Sequence, residues 1–441
     1  MKRLLSLLLC VVLALFCAPT AQAAGVSITL TASEYALHYA FDAGAQDPFV
    51  ILEYTTPAEK GWMMLYSEDG HFEGDVSLAY SGAGGKTSVA LTSARTTGSI
   101  GKASTTLPKA ADYQKPTGKS NAKVMDFVLT ETPEGFHYAF NAIGTDYMLL
   151  YWRSKEQTVT QPVYPDENGH YEGDVVSELT FARTQFTVQV KSGSGSMKKE
   201  ATVRKGYQAP EAPQRQEGRL SGVTVCIDAG HQENGRFVNE PIGPGLTGST
   251  SGKGGMAQGT KTNRRESIVC LEIGMLLRDE LLRQGANVVM TREDQTTFHT
   301  NIERCEIAEA GGAQIMLRLH CNNSSNRSKR GIQVYGPLNS DYAKAVADAD
   351  TYREMGQKLL DAMKTRVGMT LANSTGMVRL NDNYVGNNWA KMMCFLVEMG
   401  YLSNPAEEYL LVTPVYQQWL AEGMADGVYE IAVARGWVQA Q

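Results

Sequence analysis

Between residues 18 and 225 the chain has no cysteine, so nothing in that stretch can be cross-linked by disulfides. The five cysteines from Cys226 onward are odd in number and sit mostly inside apolar runs such as Val225-Cys-Ile227 and Met393-Cys-Phe395. That reads as buried thiols rather than a disulfide framework. Positive charge is also scarce: 41 Lys and Arg stand against 47 Asp and Glu. The balance argues against nucleic acid as a partner, since neutralising phosphates requires a basic face. The short basic cluster Arg327-Ser-Lys-Arg330 reads as a solvated loop. Long apolar runs are missing too, because Leu4 to Phe16 falls short of the roughly 20 residues that span a bilayer. With Met1-Lys-Arg3 before it and Ala21-Gln-Ala23 after it, that run is expected to be a signal peptide over 1–23, cleaved after Ala23. A secreted, extracellular or cell-wall-associated protein follows.

What is present begins with an internal repeat. Leu37-His-Tyr-Ala-Phe-Asp-Ala43 recurs as Phe136-His-Tyr-Ala-Phe-Asn-Ala142, and Asp69-Gly-His-Phe-Glu-Gly-Asp-Val76 recurs as Asn168-Gly-His-Tyr-Glu-Gly-Asp-Val175. Both copies alternate apolar and polar residues and carry Asp-Gly or Asn-Gly dipeptides that favour tight hairpins. Two tandem all-β sandwiches are therefore expected, over 24–118 and 119–208. Asp69, Glu73 and Asp75 place oxygen ligands at alternate positions where calcium is conceivable, although the same residues serve equally as polar hairpin ends. Trp62 and Trp152 suit sugar stacking or, more simply, core filling.

The composition then shifts to Pro, Gln, Glu and Arg, marking a linker over 209–219. From Leu220 to Gln441 strands and helices alternate, as expected of an α/β domain with a largely parallel sheet. Strands are predicted at Val223–Ile227, Asn287–Thr291, Gln314–Leu319, Gly331–Tyr335 and Met392–Val397. Helices are predicted over Glu266–Gln284 and Asn301–Ala310, from Ser340, and from Thr413-Pro414 to just before Gly436.

Three of these strands end in polar residues. Val223-Thr-Val-Cys-Ile-Asp-Ala-Gly-His231 closes on a histidine, Ile315-Met-Leu-Arg-Leu-His320 on another, and Met393-Cys-Phe-Leu-Val-Glu398 on a glutamate. Strand ends at one sheet edge are where α/β proteins build sites. Glu266, at a helix start, is a fourth candidate. Two histidines and one carboxylate make a catalytic zinc site with a position left for water, and the other carboxylate is then available as a base. His299 follows Thr-Thr-Phe in a loop and stays outside this set.

Cys226-Ile-Asp-Ala-Gly-His231, Glu266, Met290-Thr-Arg-Glu-Asp294, Glu303-Arg304, Leu317-Arg-Leu-His-Cys-Asn322, Gly331-Ile-Gln-Val334 and Leu396-Val-Glu-Met-Gly-Tyr-Leu-Ser-Asn404 occur in the order seen in zinc-dependent N-acetylmuramoyl-L-alanine amidases. The chain resembles that family from about 220 to 441. The resemblance implies a phosphorylase/hydrolase-like α/β fold, with peptidoglycan as partner and substrate. It further implies cleavage of the bond between N-acetylmuramic acid and L-alanine by zinc-activated water, with His231, Glu266 and His320 as Zn2+ ligands and Glu398 as the catalytic base.

Three departures bear on that reading. The 232–265 connection is long and rich in glycine, serine and threonine, suited to lining a groove or acting as a lid. It leaves Glu272 as a competitor to Glu266. Cys321 stands where the family usually has alanine. By strand parity Arg318 shares a face with His320, so its buried charge needs a carboxylate partner and it supports the ligands or touches substrate. Asn388 and Trp389 are read as substrate contacts, unless Trp389 simply packs. A zinc peptidase acting on wall peptides and a catalytically silent wall-binding protein are the competing readings, and the N-terminal repeats suit contact with wall or protein.

Overall fold

A computed structural model describes residues 25–113, 115–116, 120–132, 135–154, 157–176, 185–191, 197–204, 210–232, 238–250, 255–368 and 377–440. The expected signal peptide, residues 205–209 and parts of the 232–265 connection lie outside them.

The first half is all β. Strands β1 (Thr29–Ser33), β2 (Ala36–Asp42), β3 (Phe49–Thr55), β4 (Glu59–Tyr66), β5 (His71–Ser77), β6 (Gly85–Ser93) and β7 (Ser99–Leu107) are followed by β8 (Ser120–Thr132), β9 (Gly135–Thr145), β10 (Met148–Arg153), β11 (Gln157–Val163), β12 (His170–Val176), β13 (Gln185–Lys191) and β14 (Met197–Arg204). Alternation sets the layers. Leu37, Tyr39 and Phe41 of β2 turn inward while His38 turns out, and β9 repeats this with Phe136, Tyr138 and Phe140 around His137. Sheet β1-β2-β5 thus covers β3, β4, β6 and β7, with Phe41 stacked on Phe72 at 4.9 Å. Sheet β12-β9-β8 covers β10, β11 and β13, with Phe140 stacked on Tyr171 at 4.6 Å. At the hairpin turn before β5, Gly70 has φ +84°, and a Cβ there would lie 2.2 Å from the Gly44 backbone.

The sandwiches are not independent. Edge strand β4 pairs antiparallel with edge strand β11, giving one eight-stranded sheet in the order β14-β13-β10-β11-β4-β3-β6-β7. Glu59 is buried at this seam, where its carboxylate accepts hydrogen bonds from Tyr80 N–H, the Ser81 hydroxyl and the Gln157 amide. The first sandwich also docks on the second half of the chain: Phe49 lies edge-on to Trp419 at 5.4 Å and Trp62 edge-on to Tyr409 at 4.8 Å. Trp152 is wholly buried and fills the core of its own sandwich, whereas Trp62 is buried at the contact with Tyr409.

The 210–219 segment is tied down rather than free. Arg278 Nη2 donates to Pro210 O, Arg215 Nη1 to Gly285 O, and Gln216 N–H to Leu282 O.

The α/β half comprises β15 (Thr224–Ala229), α1 (Glu266–Arg283), β16 (Asn287–Met290), α2 (Asn301–Ala310), β17 (Ile315–Asn322), β18 (Gln333–Gly336), α3 (Asp341–Val346), α4 (Ala349–Val367), β19 (Met377–Leu380), α5 (Val385–Trp389), β20 (Met393–Tyr401), α6 (Pro405–Leu411) and α7 (Pro414–Ala434). The sheet order is β16-β15-β17-β20-β18-β19, parallel except between β18 and β20. Val225, Ile227, Leu317, Leu319, Phe395 and Val397 face the larger core with α1, α4 and α7. Cys226, Met316 and Cys394 face α2. The helix expected from Ser340 is two helices, because Ala347 is extended and Asp348 caps a new start by accepting from Thr351 N–H.

Candidate metal centre

The site begins with a turn that only glycine permits. A Cβ on Gly230 would lie 2.4 Å from Leu319 O and 2.6 Å from His320 Cε1, so the chain passes flush against β17. His231 follows in the left-handed region at φ +58°, a conformation that costs a histidine energy and needs outside support. Two arginines provide it. Arg292 donates to Ala229 O at 2.7 Å and to Gly230 O at 2.9 Å, while Arg304 donates to Ala229 O at 3.0 Å and His231 O at 3.2 Å.

Beneath the turn, Asp228 is wholly buried. It accepts from the Thr291 hydroxyl at 2.8 Å, from Arg318 Nε at 2.9 Å and from Arg304 Nη1. Burial alone would raise its carboxyl, but the two guanidinium groups outweigh that and hold it far below the usual range.

Glu266 opens α1 and is buried. Its Oε1 lies 3.1 Å from His231 Nε2 and 3.0 Å from His320 Nδ1, and accepts from Cys321 N–H at 3.0 Å; its Oε2 accepts from Ala257 N–H at 2.7 Å. The two imidazoles offset the effect of burial and hold its carboxyl low. The ligand atoms of His231, Glu266 and His320 all fall within 4.8 Å of one another. Glu272 faces elsewhere, bound by Arg264 at 2.6 Å and Gln417 at 3.0 Å.

Strand register places Glu398 of β20 directly opposite His320 of β17. Glu398 Oε2 and His320 Nε2 are both buried with no hydrogen-bond partner among the described residues. Burial, aided by the nearby Glu266 charge, pushes the Glu398 carboxyl well above the usual range. Two imidazoles and one carboxylate converging on a single point, beside unsatisfied polar atoms, fit a zinc-class ion.

These residues line an open cavity of about 1200 Å³, with Arg318, Asn301, His299, Val238 and Leu246 around them. The described part of the 232–265 connection forms one wall. It is anchored where Glu240 accepts from Asn301 and Ile302 N–H at the start of α2. The residues read as substrate contacts separate here. Arg318 reaches the cavity, but its guanidinium is committed to Asp228 and Asn301. Asn388 and Trp389 do not line it: Asn388 is wholly buried and donates to Ile242 O and Asp382 O, and Trp389 donates to Pro241 O. They hold the loop that forms the wall. Asp228, Arg292 and Arg304 received no role from sequence, although all three sit in the quoted motifs.

The profile of the N-acetylmuramoyl-L-alanine amidase family matches residues 225–430. This domain belongs to that family. The amidase domain is 26% identical over 231 residues to the germination-specific N-acetylmuramoyl-L-alanine amidase of Bacillus subtilis, covering 49% of this chain and 83% of that protein. It is 27% identical over 218 residues to the probable cell wall amidase LytH of Staphylococcus aureus, covering 48% of this chain and 60% of that protein. Solved structures that resemble the amidase domain include an N-acetylmuramoyl-L-alanine amidase from Clostridium difficile 630 (25% identity, TM-score 0.38, 48% of this chain and 96% of that one). Another is Ami1 from Mycobacterium smegmatis (17% identity, TM-score 0.42, 49% and 100%).

Proposed function

We propose that the chain is a peptidoglycan hydrolase that cleaves the amide joining N-acetylmuramic acid to L-alanine, with zinc held by His231, Glu266 and His320. The observation that carries this reading is the convergence of those three donors opposite Glu398 in the open cavity of an amidase-family domain. Zinc bound there supplies a Lewis acid that polarises the scissile carbonyl and acidifies water.

The remaining steps belong to the protein. Glu398, whose Oε2 has no hydrogen-bond partner among the described residues, takes a proton from the attacking water as a carboxylate and returns it to the leaving amine of L-alanine. Arg292 and Arg304 fix the His231 turn, and Asp228 fixes Arg304 and Arg318. The open cavity, walled by the 238–250 loop, suits a stretch of glycopeptide rather than a small enclosed ligand. Export through residues 1–23 and two tandem sandwiches that contact wall material or a protein complete the reading; among the described residues no helix is long and apolar enough to cross a membrane.

Product analysis of digested peptidoglycan tests it. New L-alanine amino termini with intact glycan strands are expected. Amino termini within the peptide stem alone would instead identify a zinc peptidase, and unaltered wall a binding protein.

A further inference from the structure

The outward face of the eight-stranded sheet changes character along its strands. At one end Phe49 and Trp62 are sealed against the amidase domain by Trp419 and Tyr409. Beyond that contact, strand register sets a row of polar side chains across five strands. Thr158 of β11 stands opposite Lys60 of β4, Lys60 opposite Thr55 of β3, Thr55 opposite Ser88 of β6, and Ser88 opposite Ser104 of β7. Residues opposite each other share a face and neighbouring strands lie about 4.8 Å apart, so the row runs roughly 19 Å. Lys86 and Lys102 flank it on its two sides, and these residues line an open groove of about 720 Å³.

The charge placement is selective. Residues 25–113 carry ten Asp or Glu against five Lys or Arg, yet three of those five cations are in this groove. The other two are engaged elsewhere: Arg95 Nε lies 3.6 Å from Asp47 Oδ1, and Lys109 Nζ lies over the Tyr113 ring at 5.7 Å. Lys60, Lys86 and Lys102 are exposed, and none has an ion-pair partner among the described residues. The groove's one carboxylate, Glu53, stands in the next row between Trp62 and Ala90, and Ala90 separates it from Lys102. Three cations gathered on an acidic domain give a local field that draws anions.

The donor set narrows the anion. A carboxylate is gripped best by the two-pronged guanidinium of arginine, whereas lysine serves phosphate as a point charge and serine and threonine hydroxyls donate to phosphate oxygens. The groove has lysines and hydroxyls and no arginine. Its aromatics, Tyr54 and Trp62, are both buried, so neither offers a ring face, and a neutral glycan or a nucleic acid has no stacking platform here. The row reaches β7, the last strand of the sheet, so a chain can enter from the sheet edge. That suits a linear polymer better than a single phosphate.

We propose that this groove binds a linear wall polymer whose repeats are joined by phosphodiester groups, with Lys60, Lys86 and Lys102 neutralising phosphates and Thr55, Ser88, Ser104 and Thr158 donating to their oxygens. The proposal deepens the wall-contact reading of the sandwiches and rests on it for the source of the polymer. A polymer held there keeps the amidase domain at the wall, because the sheet that carries the groove is docked on that domain through Phe49 and Trp62.

The test titrates the full chain against fluorescently labelled poly(glycerol phosphate) and follows anisotropy. Wild type is expected to bind, with affinity falling on the order of 10-fold or more between about 50 and about 200 mM salt as three phosphate contacts are screened. Lys60→Gln/Lys86→Gln/Lys102→Gln is expected to bind about 10-fold or more weakly at the lower salt and to lose most of the salt dependence, with its thermal melt unchanged. Lys109→Gln/Lys344→Gln/Lys364→Gln, which removes the same charge elsewhere, is expected to bind as wild type does. Poly-L-glutamate and single-stranded DNA are expected to bind about 10-fold or more weakly than the phosphate polymer. Hydrolysis of peptidoglycan freed of phosphate polymers is expected to be the same in wild type and the groove variant, so binding and amidase activity can fail separately. Equal affinity of wild type and the groove variant for poly(glycerol phosphate), or equal affinity of wild type for poly-L-glutamate or DNA, would overturn the proposal.

Discussion

Arg318 Nε and Asp228 Oδ2 lie 2.9 Å apart in the middle of the sheet, and Arg304 holds the other oxygen of the same carboxylate. One buried anion thus organises two cations, and Arg304 in turn grips the carbonyl of His231. Replacing Asp228 by Asn leaves two buried guanidinium groups with no counter-charge. A loss of about 3–5 kcal/mol is expected, measured by urea unfolding at neutral pH. The sign with pH follows from its depressed carboxyl: the stability it supplies is present above the ordinary carboxylate range and is lost as pH falls below it. Asp228→Asn should therefore flatten the acid limb of the stability curve.

Glu398→Gln removes the proton carrier while keeping the shape of the side chain. Hydrolysis is expected to fall about 10²–10⁴-fold with zinc retained. Stability should hold or rise, because the unpartnered Glu398 Oε2 is already costly to bury. Activity within a few-fold of wild type would exclude Glu398 as the base.

The residues proposed to carry the chemistry are legible in the sequence because strand parity and strand ends are local properties. His320 and Glu398 each close an apolar run, and His231 follows one after a glycine turn. Arg318 was legible as a charge in need of a partner. Its partner was not, although Asp228 lies in the same quoted stretch as His231, because the β15–β17 register that aligns Asp228 with Arg318 is set by tertiary pairing. For the same reason the β4–β11 seam was invisible: each strand alone reads as an ordinary edge. Asn388 and Trp389 sit in a segment whose facing depends on a distant loop, so sequence placed them at the substrate and structure places them behind the wall. The Asp348 cap that splits the fourth helix from the third was readable in principle, as an Asp before a helical run.

Glu266 and Glu272 lie on one helix and are separated by their partners. Glu266→Ala is expected to abolish zinc binding at the cluster it shares with His231 and His320. Glu272→Ala is expected to keep zinc and lose about 1–3 kcal/mol, since Arg264 and Gln417 each lose one acceptor. Elemental analysis and denaturant unfolding of the two variants separate the roles, and zinc loss in Glu272→Ala alone would reverse them.

Asn388→Ala frees two carbonyls, those of Ile242 and Asp382, from a wholly buried amide. The expected result is faster amide exchange over 241–250 and a raised KM, with zinc content unchanged. Exchange rates equal to wild type would mean the loop is held without it.

Glu407 is buried at the start of α6, accepting from Gly331 N–H at 2.7 Å and Tyr401 N–H at 2.8 Å. Burial outweighs those two bonds and raises its carboxyl to about 7. A folded-state pKa above the unfolded value of about 4.3 means the native state binds the proton more tightly. Stability is then fully present below about pH 4.3, declines as pH rises toward about 7, and levels off above it, for a total on the order of 3 kcal/mol. Unfolding measured between pH 5 and 8 should show this decline in wild type and not in Glu407→Gln, whose side chain stays neutral throughout. Parallel curves for the two proteins would show that the backbone donors keep Glu407 ionised across the range despite its burial.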